Sequence, residues 1–329
     1  MSSNFAVLGV GGFVAPRHLR AIHDTRNQLV AACDPHDAVG VLDKFSFNVR
    51  FFTEYERFDR HLEKLRRGPE DQRVHYVSIC SPNYLHDAHV RLALRSGATA
   101  ICEKPLVIRP WNLDALQALE AEYGTRVYTV LQLRLHPQLL ALRERLRAAA
   151  LTRRHSVELT YVTSRGPWYD ISWKGIDERS GGVVTNIGIH LFDLLLWLFG
   201  AEQRSEVHLL EPRRAAGSLE LERADVRWFL STDPADLPPG LTPGRTTYRS
   251  VTVDGSEVEF SGGFEDLHTR VYQETLAGRG FGIDEARPSL ELVHRIRHAE
   301  LTKRAADPHP FLNATRGGPS VLARAGSGS

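Results

Sequence analysis

The pattern of apolar and polar positions changes character once along the chain. Up to about residue 130, short continuous apolar runs alternate with segments whose apolar residues recur every three or four positions. The runs are "NFAVLGV", "QLVAACD", "VHYVSICSP", "TAICEKP" and "RVYTVLQL". Between them lie "APRHLRAIHDT", "FDRHLEKLRRG", "HDAHVRLALRSG" and "NLDALQALEAEYG". Continuous apolar runs predict strands buried on both faces, and strand–helix alternation predicts a parallel sheet with helices on either side. An α/β fold follows, with a doubly wound Rossmann domain over residues 1–130.

Beyond residue 135 the period changes. A helix, "PQLLALRERLRAAA", precedes the strand "HSVELTYVT", and "GGVVTNIGIHLFDLLLWLFG" reads as one long helix. Runs at 205–211, 217–222, 225–231, 246–253 and 256–261 then follow, many alternating polar with apolar. Asp254-Gly255 between the last two is a hairpin signal. Helices are expected around 265–278 and 285–305. This is an α+β domain with a mostly antiparallel open sheet, over residues 131–312. The Gly/Ser-rich stretch 313–329 is expected to be a disordered tail.

Composition narrows the partners. A net charge of +1 gives a nucleic acid or an anionic membrane no electrostatic support. The start "MSSNFAVLGVGG" lacks a basic segment, so no signal peptide is expected. The stretch "LFDLLLWLFG" is too short to span a bilayer and carries Asp193. Cys33, Cys80 and Cys102 show no metal or CxxC spacing; as free buried thiols they suit a reducing cytosol, so a cytoplasmic protein is expected. Cations are nearly all arginine: lysine occurs only at Lys44, Lys64, Lys104, Lys174 and Lys303. Lysine can lose its proton when desolvated and arginine effectively cannot, which gives weight to a lysine at the end of an apolar strand.

The first strand ends in "VLGVGGFVAP". Gly9 and Gly11 supply two glycines of a G-x-G-x-x-G turn, with Gly12 and Phe13 beside them; Val14 occupies the third position and Ala15 follows. Such a turn brings a pyrophosphate to backbone N–H groups at a helix N-terminus. Asp34 ends the second strand, where a carboxylate holds the adenosine ribose and repels a 2′-phosphate, so NAD is the expected cofactor. Ser81, Asn83 and His86 follow the third long run on the same sheet edge; Ser81 and Asn83 are equally suited to cap the next helix. Glu103-Lys104-Pro105 ends the fourth run, facing the nicotinamide half of the trough. An alcohol oxidation needs a base with a pKa near neutrality. A pyridinium held ~4 Å from the amine repels it by roughly 4 kcal/mol at an effective dielectric near 20. At about 1.36 kcal/mol per pH unit, that lowers a lysine pKa by about 3.

The glycine turn, "EKP" and "GGVVTNIGIHLFDLLLWLFG" resemble, in order and spacing, the glucose–fructose oxidoreductase/inositol dehydrogenase/MocA (Gfo/Idh/MocA) family over nearly the whole chain. That resemblance implies that Lys104 lies beside the reacting hydroxyl and the nicotinamide, and that Gly181, Gly182, Asn186, Gly188, His190 and Asp193 form the second motif. Asn186 replaces the family's usual aspartate, so it can orient but not carry a proton. Lys104 and His190 both stand as candidate bases, with Asn186 four residues from His190 on one helical face.

Longer matches, among them "YVSICSPNYLHDAHVRLALRSGATAICEKPLV" and "LTYVTSRGPWYDISWKG", are similar to the members of that family that oxidise the C-3 hydroxyl of UDP-2-acetamido-2-deoxyglucuronate. This implies a role in bacterial surface polysaccharide (O-antigen) synthesis and a homotetramer, and it allows NADH to be reoxidised in place by 2-oxoglutarate. Arg134, Arg165, Tyr169, Lys174, Asn186, His190 and Lys104 are the expected substrate contacts; Gln132 and Trp173 join the cofactor set. The alternatives are another sugar or cyclitol dehydrogenase, and a non-catalytic NAD-binding sensor. No metal is assigned: His294 and His298, with Glu291 nearby, read as a solvated helix face.

Overall fold

The computed structural model describes residues 2–148, 153–302 and 307–312. The expected tail lies outside the described residues. The first unit runs β1 (Asn4–Leu8), α1 (Ala15–Asp24), β2 (Gln28–Cys33), β3 (Arg50–Phe52), α2 (Tyr55–Arg66), β4 (Tyr76–Ile79), α3 (His86–Arg95), β5 (Thr99–Cys102), α4 (Asn112–Tyr123) and β6 (Val127–Thr129). All its strand pairs are parallel, in the order β3-β2-β1-β4-β5-β6. Strand β1 is buried at every residue, as a strand covered on both faces must be. The order reverses between β1 and β4, which opens a crevice at the carboxyl edge of the sheet. Strand β3 is additional to the five expected; at 3 residues on the sheet edge it is too short to show a period. Glu103-Lys104-Pro105 therefore follows the fifth strand, not the fourth.

The second unit contains α5 (Pro137–Ala148), β7 (His155–Thr163), α6 (Trp168–Ile171), α7 (Asp177–Ser180), α8 (Gly182–Asn186), α9 (Ile189–Phe199), β8 (Glu202–Leu210), β9 (Arg214–Leu221), β10 (Ala224–Ser231), β11 (Thr247–Val253), β12 (Ser256–Glu259), α10 (Leu267–Leu276) and α11 (Ile283–Arg297). Its sheet order is β12-β11-β7-β10-β9-β8; β7 and β10 are parallel and the other pairs antiparallel. Asp254 and Gly255, at φ 49° and 82°, turn the β11–β12 hairpin as expected.

The expected long helix is broken. The segments Asp177–Asn186 and Ile189–Phe199 meet at 43°. Gly188 sits at the break, where a Cβ would lie 2.4 Å from the Val184 carbonyl oxygen and 2.6 Å from Leu230 on β10. Only a residue without a side chain lets the bend press against the sheet. Asn186 and His190 consequently belong to different helices rather than to one helical face. Among the described residues no single helix is long and apolar enough to cross a membrane; this bent pair passes by length and composition, and its residues Leu191, Phe192, Leu194 and Leu195 are core.

The two units are not independent. One apolar cluster runs from Leu8 and Ile79 through Leu159 and Phe192 to Trp228. Helix α10 also returns to the first unit: Tyr272 packs on Phe5 with ring centroids 5.8 Å apart, and its hydroxyl meets Ser78 and His18. The division near residue 130 is thus one of sequence, while in space the late helix completes the first unit. The three cysteines are free and buried.

Candidate active site

The crevice is a continuous cleft of ≈ 1580 Å³ that runs from the β1–α1 turn to the inner face of the second sheet. A pocket for one small ligand measures roughly 300–1000 Å³, so this cleft has room for two.

Gly9 makes the turn after β1 at φ 82°, and a Cβ there would stand 2.6 Å from the Ser81 backbone nitrogen. Gly11 N–H and His36 N–H donate to the two oxygens of Asp34, each at 2.9 Å. The carboxylate is thereby fixed at the mouth of the glycine turn. The missing third glycine is replaced in function by Ala15, fully buried where α1 packs on the sheet. Gly12 and Phe13 border the cleft; Phe13 is 83% exposed at its rim, with the Arg17 guanidinium over its ring.

Neither Ser81 nor Asn83 caps α3, which has no side-chain cap. Ser81 Oγ meets His89 Nδ1 at 2.8 Å, and Asn83 donates to the Ser180 carbonyl at 2.9 Å, tying the cofactor edge to the second unit. Both ring nitrogens of His86 face backbone carbonyls, of Pro105 at 2.6 Å and Ser81 at 2.8 Å. Its ring nitrogens pin the turn after Lys104 to the β4 loop, and a cofactor would meet only its carbon edge.

Glu103 is buried, and one of its oxygens, Oε1, accepts from His18 Nε2 and His268 Nε2, both at 3.0 Å. His18 Nδ1 in turn faces the Tyr272 hydroxyl at 2.8 Å. These three side chains could also group around a metal ion, their ligand atoms lying within 4.8 Å of one another. The hydrogen bonds they form suit an ionised carboxylate that accepts from two imidazole N–H groups. Burial pushes Glu103 up, but the two imidazole donors outweigh it and hold the carboxyl well below its usual range. Glu291, by contrast, turns to Arg287 at 3.8 Å, and His298 donates to the His294 carbonyl.

Lys104 Nζ donates to the Asn186 carbonyl at 2.9 Å. Burial lowers the Lys104 pKa, Glu103 pulls it back up, and Arg165 and Arg249 lower it again; the net direction is down. Gln132 Nε2 lies 3.3 Å from His190 Nε2, while Gln132 Oε1 and His190 Nδ1 have no hydrogen-bond partner among the described residues. Burial, and then the Lys104 charge, hold His190 well below its usual value, so the ring is neutral. Asn186 Nδ2 donates to the Tyr169 hydroxyl at 2.8 Å; Tyr169 is buried and lines the cleft.

Arg134 does not reach the cleft. It grips buried Asp193 with two hydrogen bonds, at 2.9 and 2.7 Å, and adds one to the Glu285 carbonyl. A strand-exit position suggested the cleft, but Asp193 on α9 cannot be buried alone, and burial raises its pKa even with Arg134 beside it. Arg165 and Lys174 do line the cleft; the Lys174 ammonium lies 4.7 Å from the Trp173 ring and 5.4 Å from the Trp168 ring.

Sequence reasoning missed Tyr161 and Arg249. Arg249 donates to the Tyr161 hydroxyl at 3.2 Å and lies between the Tyr161 and Phe264 rings. Its signal was available: in "RSVTV" it falls in phase with Val251 and Val253, whose partners Leu159 and Val157 belong to the core. An arginine on the inward face of an alternating strand needs a reason. Burial pushes the Tyr161 phenol up, but Arg249, with help from Arg165 and Lys104, brings its pKa below the usual value.

A family comparison agrees with this geometry. Residues 3–131 match the NAD-binding Rossmann-fold domain of the Gfo/Idh/MocA oxidoreductases, and residues 143–233 match their C-terminal alpha/beta domain. The chain belongs to the Gfo/Idh/MocA family. Within it, the WlbA (WbpB) dehydrogenase of Thermus thermophilus superposes with a TM-score of 0.90 at 52% identity, covering 94% of this chain and 99% of that one. That enzyme has been crystallised with NAD and α-ketoglutarate, and with NAD and UDP-GlcNAcA. The WlbA dehydrogenase of Bordetella pertussis shares the fold, with a TM-score of 0.73 at 18% identity over 90% of this chain and 97% of its own. The inositol 2-dehydrogenase of Rhizobium meliloti is 25% identical over 207 residues, which is 61% of this chain. The matches to three curated relatives span 40%, 56% and 34% of those proteins' lengths. For a Gfo/Idh/MocA Rossmann domain the residues present fit NAD: a glycine turn at a helix N-terminus, Asp34 at the ribose position, and the open Gln132 oxygen deeper in the cleft.

Proposed function

We propose that the protein is an NAD-dependent dehydrogenase that oxidises the C-3 hydroxyl of UDP-2-acetamido-2-deoxy-D-glucuronate to the 3-keto sugar. The observation that carries this reading is one cluster. A desolvated lysine and a neutral histidine meet at the sheet edge, in a cleft whose Arg165, Lys174 and Arg249 form no ion pair with a described carboxylate. A diphosphate and a carboxylate are the anions such a cleft would take, since arginine matches both bidentately. The two tryptophans beside Lys174 supply flat faces for a sugar or base.

When bound, NAD supplies the acceptor for the hydride that leaves C-3. Lys104 takes the hydroxyl proton: burial already lowers its pKa, and a pyridinium beside it would lower it further. His190, kept neutral by burial and by the Lys104 charge, orients the hydroxyl. Asn186 fixes Lys104 through its carbonyl and Tyr169 through its amide, and moves no proton. By the same reading the enzyme is a cytosolic homotetramer whose product feeds surface polysaccharide synthesis, and 2-oxoglutarate reoxidises NADH in place. The free buried thiols support the compartment, and the crystallisation of the Thermus thermophilus enzyme with NAD and α-ketoglutarate supports the recycling.

The test is to incubate the purified protein with UDP-GlcNAcA, NAD and 2-oxoglutarate and to assay keto-sugar and 2-hydroxyglutarate by mass spectrometry. Turnover of inositol or glucose alone would replace this reading with a general sugar dehydrogenase, and no turnover of any sugar with a sensor. Lys104→Met should keep NAD binding and lose turnover by roughly 100- to 10,000-fold, the size of a base's contribution.

A further inference from the structure

Three chain segments far apart in sequence meet at one buried oxygen. His18 on α1, Glu103 after β5 and His268 on α10 are each at most 6% exposed. Both imidazoles turn Nε2 onto Glu103 Oε1 at 3.0 Å, with their rings 69° apart and the centroids separated by 5.0 Å. The second oxygen, Oε2, is held separately by the Lys104 backbone N–H at 3.2 Å. Two histidine nitrogens and a carboxylate oxygen, all within 4.8 Å of one another, are the donor set of a borderline transition ion rather than of Mg²⁺ or Ca²⁺. Contacts of 3.0 Å are those of neighbouring ligands on one ion bound at about 2.0–2.2 Å. Glu103 and His268 also line the cleft, so an ion would have a way in and an open side.

The outer shell is built as well. A metal-bound imidazole needs a partner for its other ring nitrogen. His18 Nδ1 meets the Tyr272 hydroxyl at 2.8 Å, and that hydroxyl meets Ser78 Oγ at 2.5 Å. While His18 Nε2 donates to Glu103, the chain must run from Ser78 through Tyr272 to Nδ1. With Nε2 on a metal, Nδ1 carries the ring proton and donates to the Tyr272 oxygen, whose own proton turns to Ser78. Hydroxyls donate or accept equally, so either direction satisfies every group and no heavy atom of the outer shell moves.

We propose that His18, Glu103 and His268 form a zinc site, and that Zn²⁺ bound there switches the enzyme off. Zn²⁺ on an ionised carboxylate reverses the sign of the charge beside Lys104, on the cleft edge assigned to the nicotinamide. The oxidised cofactor carries a pyridinium cation there, and the reduced ring is neutral. Zinc therefore opposes NAD⁺ more than NADH and stops the oxidation before hydride can leave the substrate. The three ligands belong to the cofactor end, so the inference stands whichever sugar is oxidised.

Zn²⁺, and Co²⁺ as its coloured stand-in, test this on the intact chain. A single equivalent of Co²⁺ should give the intense visible band of a four- or five-coordinate ion, and Zn²⁺ should displace it. In fluorescence titrations Zn²⁺ should weaken NAD⁺ on the order of 10-fold and NADH far less. EDTA should restore the affinity, and Mg²⁺ at the same concentration should have no effect. His268→Gln and Glu103→Gln should each lose the cobalt band. Tyr272→Phe, which keeps all three ligands and so guards against a variant that fails to fold, should weaken Co²⁺ roughly 10-fold. The rival chelate is His294 with His298, whose rings lie 4.3 Å apart on α11. His294→Ala combined with His298→Ala should keep both the band and the effect of zinc on NAD⁺. No band, a band that vanishes with His294 and His298, or zinc that weakens NAD⁺ and NADH equally overturns the proposal.

Discussion

Replacing Glu103 by glutamine removes one charge from the centre of the molecule and leaves the shape intact. In the wild type, His18 and His268 each donate to the same carboxylate oxygen at 3.0 Å. A hydrogen bond to a charged group contributes about 1.5–3 kcal/mol and a neutral one about 0.5–1.5. An amide oxygen can still accept from both, so E103Q should cost about 2 kcal/mol of stability, read by urea unfolding. Because the folded Glu103 pKa lies below its unfolded value, this contribution is complete above about pH 4.3 and fades as pH falls through the folded value. The sharper consequence is catalytic. Glu103 is the strongest influence raising Lys104. Without the anion the amine sheds its proton more easily, and the acid limb of kcat/KM should move to lower pH. The assay is the pH profile of sugar oxidation in both proteins, with NAD saturating. A limb that stays in place, or moves to higher pH, would refute the assignment of Lys104 as the group that must be neutral.

Arg134→Ala strands Asp193, 2% exposed, without its cation, and should cost on the order of 3 kcal/mol in unfolding while leaving KM for the sugar nucleotide unchanged; a raised KM at full stability would put Arg134 back in the cleft. Asp34→Ala removes the acceptor fixed by Gly11 and His36 and should weaken NAD on the order of 10-fold while narrowing the preference over NADP. Equilibrium titration with both cofactors checks it, and an unchanged NAD/NADP ratio would count against a ribose contact.

Much of the architecture was legible along the chain because its signals are local. Continuous apolar runs, the glycine turn and Asp34 each announce themselves within a few residues, and so does the Asp254-Gly255 hairpin. Strand β3 was not legible, because 3 residues carry no period. The break at Gly188 was not legible either: a glycine in an apolar helical pattern reads the same whether the helix continues or bends against Leu230. Partnership was the least legible property. Arg134 and Arg249 are both arginines near strand residues, yet Asp193 claims the first and no described carboxylate claims the second.

The residues therefore decided, by their order alone, that this chain forms a dinucleotide trough with a lysine at its edge. Folding decided which charges meet. His18, Glu103 and His268 come from positions far apart in sequence, and α10 must cross back over the first sheet before the buried carboxylate has its second donor. Periodicity reports which face of an element avoids water. It is blind to what waits on the other side of the contact, and the protonation of Lys104 is set there.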